Sequence, residues 1–168
     1  MFWDICLHWV KISTMKMSNS NINWFLFAKL PSAYLCGVRV VDLNDMSCIA
    51  RIRENFINKN PFNSIYFAAQ SMAAELSTGA LIMNELQKSG HNISMLVTNC
   101  EMNFIKKAKG EILFSCNQGQ EVAAAVKAAI ETKAGQVLKL QSQGINEQGD
   151  IVSEMMFEWS IKSKNRNN

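Results

Sequence analysis

Histidine and proline are scarce in this chain: two of each among 168 residues, His8, His91, Pro31 and Pro61. Two separated histidines leave a zinc site little to be built from. The five cysteines, Cys6, Cys36, Cys48, Cys100 and Cys116, include no C-x-x-C pair. An odd, dispersed set fits reduced and mostly buried thiols in a reducing compartment, hence a cytoplasmic protein. No run approaches the ~20 apolar residues that span a bilayer. A net charge of +3 is too small to argue for nucleic acid, and no basic face with interleaved aromatics occurs. What is present is a chain 48% hydrophobic and 18% charged, the balance of a soluble globular protein. Its length suits one domain with a core of its own.

The opening MFWDICLHWVKISTMK is apolar in places, but Asp4 and Lys11 interrupt any signal-peptide core and no small-residue cleavage site follows. Two readings stand for it. Residues 1–22 are an N-terminal extension outside the fold, with Met15 or Met17 the natural initiator, or they form an amphipathic helix lying on a membrane or beside Trp24–Lys29. Residues 23–163 make the single domain, and residues 164–168 a polar tail.

Within the domain, Asn23–Leu30 reads as a short helix ended by Pro31, and Ser32–Gly37 as a turn. Val38–Leu43 and Ser47–Arg53 read as a hairpin across Asn44-Asp45. A long helix runs from Ser64 to about Lys88 and closes at Ser89-Gly90. Ile93–Ile105 is a strand with Met95, Val97, Asn99, Glu101 and Asn103 on one face and Leu96, Thr98, Cys100, Met102 and Phe104 on the other. Glu111–Cys116 is a further strand, Gln118–Lys133 a helix stopped by Gly135, and Gln136–Ile145 and Ile151–Ile161 a second hairpin around Gln148-Gly149. This order fits an α+β domain in which one alanine-rich helix lies against a mostly antiparallel sheet.

The stretch NKNPFNSIYFAAQSMAAELSTG, from Asn58 to Gly79, carries the most information. An asparagine-rich turn leads into the helix, whose apolar stripe includes Ile65, Ala68, Ala69, Met72, Leu76 and Met83. At about 100° per residue, Glu75 lies roughly 80° from the centre of that stripe. A carboxylate at that border is either half-buried and held for chemistry or solvated at the edge.

Asn60 and Glu75 stand at the spacing of N-x2-G-x2-H-G-G-x6-D/E, while Asn63, Tyr66, Phe67 and Ala68 occupy its Gly, His, Gly and Gly positions. On these anchors the chain resembles hot-dog-fold thioesterases, a group that includes 4-hydroxybenzoyl-CoA and phenylacetate-pathway enzymes. It is most similar to a branch of thioesterase-like bacterial domains without settled function, over Trp24 to Lys162. The resemblance implies a curved antiparallel sheet wrapped around one long central helix, with a second helix inserted before the last strands. It implies a homodimer or homotetramer with active sites across the interface.

For chemistry it implies hydrolysis of an acyl-CoA or acyl-carrier-protein thioester. Glu75 would act as general base or nucleophile, the N–H groups near Phe67 and Ala68 as oxyanion donors, and Asn60 as an orienting group. Asn63 and Tyr66 would contact substrate. Lys106, Lys107 and Lys109, in FIKKAKG, would meet the phosphates of coenzyme A or of a pantetheine arm, which belong to the substrate, so no separate cofactor is expected. The alternative is an acyl-binding module on the same fold that does not cleave its ligand. Hydratase chemistry on a related fold ranks last, because neither His8 nor His91 lies on the central helix. His91 paired with Cys100 offers no oriented third group, and Trp159, Met72, Met83, Met155 and Met156 read as core.

Overall fold

The computed structural model describes residues 19–163, so the extension up to residue 18 and the tail from residue 164 lie outside the described part. Helices α1 (Asn19–Lys29) and α2 (Pro31–Leu35) come first, followed by strands β1 (Arg39–Leu43) and β2 (Cys48–Arg53). The long helix α3 (Phe67–Ser89) follows, then β3 (Ile93–Phe104), β4 (Glu111–Cys116), helix α4 (Gly119–Thr132), β5 (Gln136–Asn146) and β6 (Ile151–Ser163). All neighbouring strands pair antiparallel in one six-stranded sheet of order β1-β2-β4-β5-β6-β3. The sheet curves around α3, which is the expected α+β hot-dog arrangement with α4 inserted before the last two strands.

Alanine gives α3 its close approach: Ala69, Ala73, Ala74 and Ala80 are buried in the same core as Ile52, Ile112, Phe114, Leu140 and Ile161. Four polar side chains on the same helix are buried as well: Asn84 donates to Asp45 at 3.4 Å, and the other three have sheet partners. Gln70 accepts from Ser153 Oγ at 3.1 Å, Ser77 Oγ meets Ser142 Oγ at 2.8 Å, and Thr78 Oγ1 accepts from Trp159 Nε1 at 3.1 Å. Leaving such a group without a partner costs about 1–3 kcal/mol, so these bonds fix the rotation of the helix more firmly than the alanines could. Gly90 ends α3 in the left-handed region at φ 66°, as the sequence predicts.

The first helix starts four residues earlier than the sequence suggests and buries Ile22 and Leu26. Pro31 ends it and then opens α2 at the position where a missing N–H costs nothing, in place of the predicted turn. Asn23 on α1 closes the free edge of β1: its Nδ2 donates to Val40 O at 2.8 Å and its Oδ1 accepts from Val40 N at 2.9 Å. The other outer strand, β3, has no such cover among the described residues, and its Leu96 is 66% exposed.

Two local expectations fail for identifiable reasons. Simple alternation along β3 is broken by a bulge between Val97 and Asn99, opposite Trp159 and Glu158. The extra residue, Thr98, brings Met95, Val97 and Cys100 onto the same core-facing side, and Met102 and Phe104 continue it towards α3. Helix α4 ends at Thr132, within a residue of the expected Lys133, but the left-handed residue that stops it is Lys133 at φ 55° and not Gly135.

The tip of the β1–β2 hairpin is a junction. Asn44 Oδ1 accepts from Met46 N and Ser47 N, Lys88 of α3 binds Asp45, and Gly119 N at the start of α4 donates to Met46 O at 3.0 Å. A β-carbon on Gly119 would collide with the Asp45 carbonyl oxygen and Met46 Cα, both backbone atoms. Gly119→Ala should therefore lower stability by about 2 kcal/mol or more, a fall of roughly 5 °C in Tm. Gly135→Ala, whose nearest neighbour would be 3.9 Å away, should stay within about 0.5 kcal/mol of wild type. Thermal melts of the two variants check this, and equal Tm values would contradict the packing described.

Candidate active site

The loop before α3 is braced by asparagine side chains. Asn58, 2% exposed, donates to Cys36 O and Arg53 O at 2.8 Å and accepts from Asn55 N. Lys59 and Ile65 then pair as an isolated antiparallel bridge, which pinches residues 59–65 into a tight loop. Asn60 organises its interior: its Oδ1 accepts from Phe62 N and Ser64 N, and its Nδ2 donates to Ser64 Oγ at 3.0 Å. Asn63 takes φ 58°, the left-handed conformation that suits the glycine of the thioesterase pattern and that asparagine also tolerates.

Backbone bonds from Ile65 N to Ala108 O and from Tyr66 N to Asn58 O deliver the chain to the start of α3. Tyr66 is the N-cap without a side-chain cap bond, and its carbonyl accepts from Ala69 N and Gln70 N. Among the described residues no acceptor meets the N–H of Phe67 or Ala68. Those two donors stand at the positive end of the helix dipole.

A groove of about 450 Å³ opens beside this helix end. Asn60, Phe62, Tyr66, Phe67, Phe104, Lys106 and Lys107 are among the residues that line it. The Phe67 ring is half exposed and packs edge-on against Tyr66 at 4.7 Å and Phe104 at 6.1 Å. Lys106 is held by Asp150 at 2.8 Å, and its ammonium keeps the Asp150 carboxyl below the usual range. Lys107 has no ion pair among the described residues. Asn63 and Lys109 do not line the groove. Lys109 lies near enough to Glu54 to lower its pKa slightly, after the larger effects of the Gly110 N–H and Lys59.

Glu75 lies two turns further along α3, ~12 Å from Phe67 along the helix axis at 1.5 Å per residue, and does not line the groove. The fold thus gathers Asn60, Tyr66, Phe67, Lys106 and Lys107 at one place and sets Glu75 apart. The Glu75 carboxyl is half-buried and, among the described residues, forms neither a hydrogen bond nor an ion pair. A lysine partner, the structural alternative for this residue, is absent there. Oε1 lies 3.2 Å from where a β-carbon on Gly79 would sit, and the Trp159 ring lies at 3.2 Å from the same point. Trp159 and Gly79 were legible only as core positions, since nothing in a single sequence links a residue on the last strand to Glu75. Elsewhere His91 serves its turn, its Nδ1 2.7 Å from Ser89 O, and Cys36, Cys48, Cys100 and Cys116 are free thiols. No group of three His, Cys, Asp or Glu converges among the described residues.

Burial alone pushes the Glu75 carboxyl from 4.5 up to about 6. The folded protein therefore keeps this proton through a range where the unfolded chain has released it. The stability carried by the neutral carboxyl is whole below pH 4.5 and is lost as pH rises through about 6. Glu75→Gln should consequently be more stable than wild type by about 1–2 kcal/mol near pH 8, with the difference closing towards about pH 4. Urea unfolding at both pH values measures this. A glutamine variant less stable near pH 8 would mean that the carboxylate has a stabilising partner.

Among solved structures, the chain superposes on a Pseudomonas aeruginosa protein of unknown function described as a probable thioesterase, with TM-score 0.76 and 22% identity, covering 89% of this chain and 99% of that one. It also superposes on a Chlorobaculum tepidum protein of unknown function, with TM-score 0.76 and 15% identity over 87% and 94% of the two chains. A thioesterase from Haemophilus influenzae gives TM-score 0.68 and 10% identity over 92% and 97%. At these identities the likeness establishes the hot-dog fold. No curated protein matches the chain by sequence. The family described as a domain of unknown function (DUF4442) matches residues 19–161, and the chain belongs to that family.

Proposed function

We propose that the protein is a cytoplasmic thioesterase acting on an acyl-CoA or acyl-carrier-protein thioester, with Glu75 as its catalytic carboxylate. The observation that carries this reading is the Glu75 carboxyl itself: half-buried, without a partner among the described residues, and poised at a pKa of about 6. A carboxylate so placed can take a proton from water near neutral pH. The hydroxide adds to the thioester carbonyl, and the resulting oxyanion accepts hydrogen bonds from the Phe67 and Ala68 N–H groups. Collapse breaks the C–S bond, and the proton held on Glu75 passes to the leaving thiolate, giving a free acid and a free thiol. In the nucleophilic variant of the same chemistry, Glu75 attacks directly and water cleaves the anhydride.

The ~12 Å between the helix end and Glu75 argues that one thioester does not use both from the same chain. Two copies paired along β3, the edge that Asn23 does not cover, would bring the groove of one towards Glu75 of the other, as a homodimer or a homotetramer built from it. Lys107, and Lys106 once released by Asp150, suit the phosphates of coenzyme A or of a pantetheine arm. Two observations favour binding without cleavage: the Asn60 side chain is engaged within its own loop, and the Phe67 ring stands where the thioesterase pattern has glycine.

Release of free thiol from short, medium, long and aromatic acyl-CoAs tests the reading. Glu75→Gln should lower kcat/KM by roughly 100-fold or more, and wild-type activity should rise with pH through about 6. Lys107→Glu should raise KM and leave kcat unchanged, with a smaller effect from Lys106→Glu because that ammonium is already neutralised. Turnover indifferent to Glu75 would overturn the assignment. Saturable acyl-CoA binding without turnover would support the binding module.

A further inference from the structure

The geometry points to Trp159 as the positioning residue of the Glu75 site: its indole is the apolar wall that borders the half-buried carboxyl and shields that side of it from water. This rests on the reading of Glu75 as the working group and adds what prepares it. Three observations converge. The indole is 3% exposed and its N–H is satisfied by Thr78 Oγ1 at 3.1 Å, so the ring is fixed in rotation as well as in position. The Thr78 hydroxyl itself donates to the Glu75 carbonyl oxygen at 2.8 Å, tying the ring to the same helical turn that carries the carboxyl. Gly79, one turn beyond Glu75, has no side chain to separate them. A β-carbon there would lie 3.2 Å from Glu75 Oε1, 3.2 Å from Trp159 Cη2 and 3.3 Å from Trp159 Cζ2. The absent methyl leaves a space bordered by the carboxyl and the benzo ring.

Among the described residues of β3, β6 and α4, no charge faces this wall. Glu101 of β3 and Glu154 and Glu158 of β6 alternate with the core-facing residues and fall on the far face of the sheet. Glu158 is engaged there by Thr98 and Lys139, and Glu154 by Gln143. Cys100 is the titratable side chain of β3 on the helix side, and burial raises its thiol, keeping it neutral. On α4, Glu121, Lys127 and Glu131 are exposed to water. Desolvation is accordingly the sole cause acting on Glu75. A carboxyl raised only by loss of water needs a surface that excludes water, and the indole supplies one.

The experiment is a carboxyl carbon-13 NMR titration of the full chain labelled at glutamate, with the Glu75 signal identified by its loss in Glu75→Gln. Wild type should titrate at about 6. Trp159→Phe, which removes the benzo atoms that meet Gly79, should drop the midpoint by about half a unit or more towards 4.5. Thr78→Val keeps the volume and removes the indole acceptor, and should shift the midpoint in the same direction by less. Phe114→Leu, a core change on β4 against Gly144, should cost stability and leave the midpoint unmoved. A midpoint near 4.5 in wild type, or one unmoved in both Trp159→Phe and Thr78→Val, would overturn the proposal. Thiol release by the same proteins separates the two levels. Midpoint shifts without turnover uphold the wall and remove the thioesterase reading, whereas Glu75-dependent turnover with an unmoved midpoint does the reverse.

Discussion

The rotation of α3 about its own axis is the constraint on which the rest depends. Gln70, Ser77 and Thr78 are buried on that helix, and each satisfies its polar group on β5 or β6. Turning the helix would break three buried hydrogen bonds at once, each costing about 1–3 kcal/mol if left open. With the rotation fixed, the alanines meet the sheet, Phe67 lies beside the groove at the helix start, and Glu75 lands at the border of the core without a partner among the described residues. The unsatisfied carboxyl is a consequence of an otherwise satisfied helix. That contrast, with the buried polar groups of the helix matched and one acid left open among the described residues, is what sets Glu75 apart from a surface glutamate.

The loop before α3 performs the complementary task. Asn55, Asn58 and Asn60 supply the hydrogen bonds that a loop lacks from regular structure, and the Lys59–Ile65 bridge closes it. The helix end is therefore held in place, and its first two donors meet no acceptor among the described residues. Rigid donors and a desolvated carboxylate are what acyl-transfer chemistry asks of a site. Glycine at position 79 and asparagine at position 63 are parts of the same arrangement: one makes room for an indole beside a carboxyl, the other permits the left-handed turn that feeds the helix.

Much of this was legible in the sequence, and for physical reasons. The long helix, its Gly90 stop and the hairpin at Asn44 follow from local rules of periodicity and turn chemistry, and these elements stand close to where the pattern puts them. The α+β order followed from them, and the spacing of Asn60 and Glu75 drew attention to the segment that holds the start of the long helix. What stayed hidden depends on contacts distant along the chain. The bulge at Thr98 reverses the faces of β3 and has no signature in alternation. Trp159, more than 80 positions from Glu75, reads as an ordinary core aromatic until the sheet curls it onto Gly79. Asp150, the partner of Lys106, could not be matched to it from charge pattern alone, because β6 had first to be placed beside β3.

Under the proposed function, the chemistry takes place at Glu75, in reach of the Phe67 and Ala68 donors of a second copy. A crystal structure of the protein with an unreactive acyl-CoA analogue, in which a methylene separates sulfur from carbonyl, tests it most directly. The analogue's carbonyl oxygen should lie on the N–H of Phe67 or Ala68 of one chain, with its carbonyl carbon facing Glu75 of the other. An analogue seated with its carbonyl away from both, or in a groove whose nearest carboxylate is not Glu75, would contradict it.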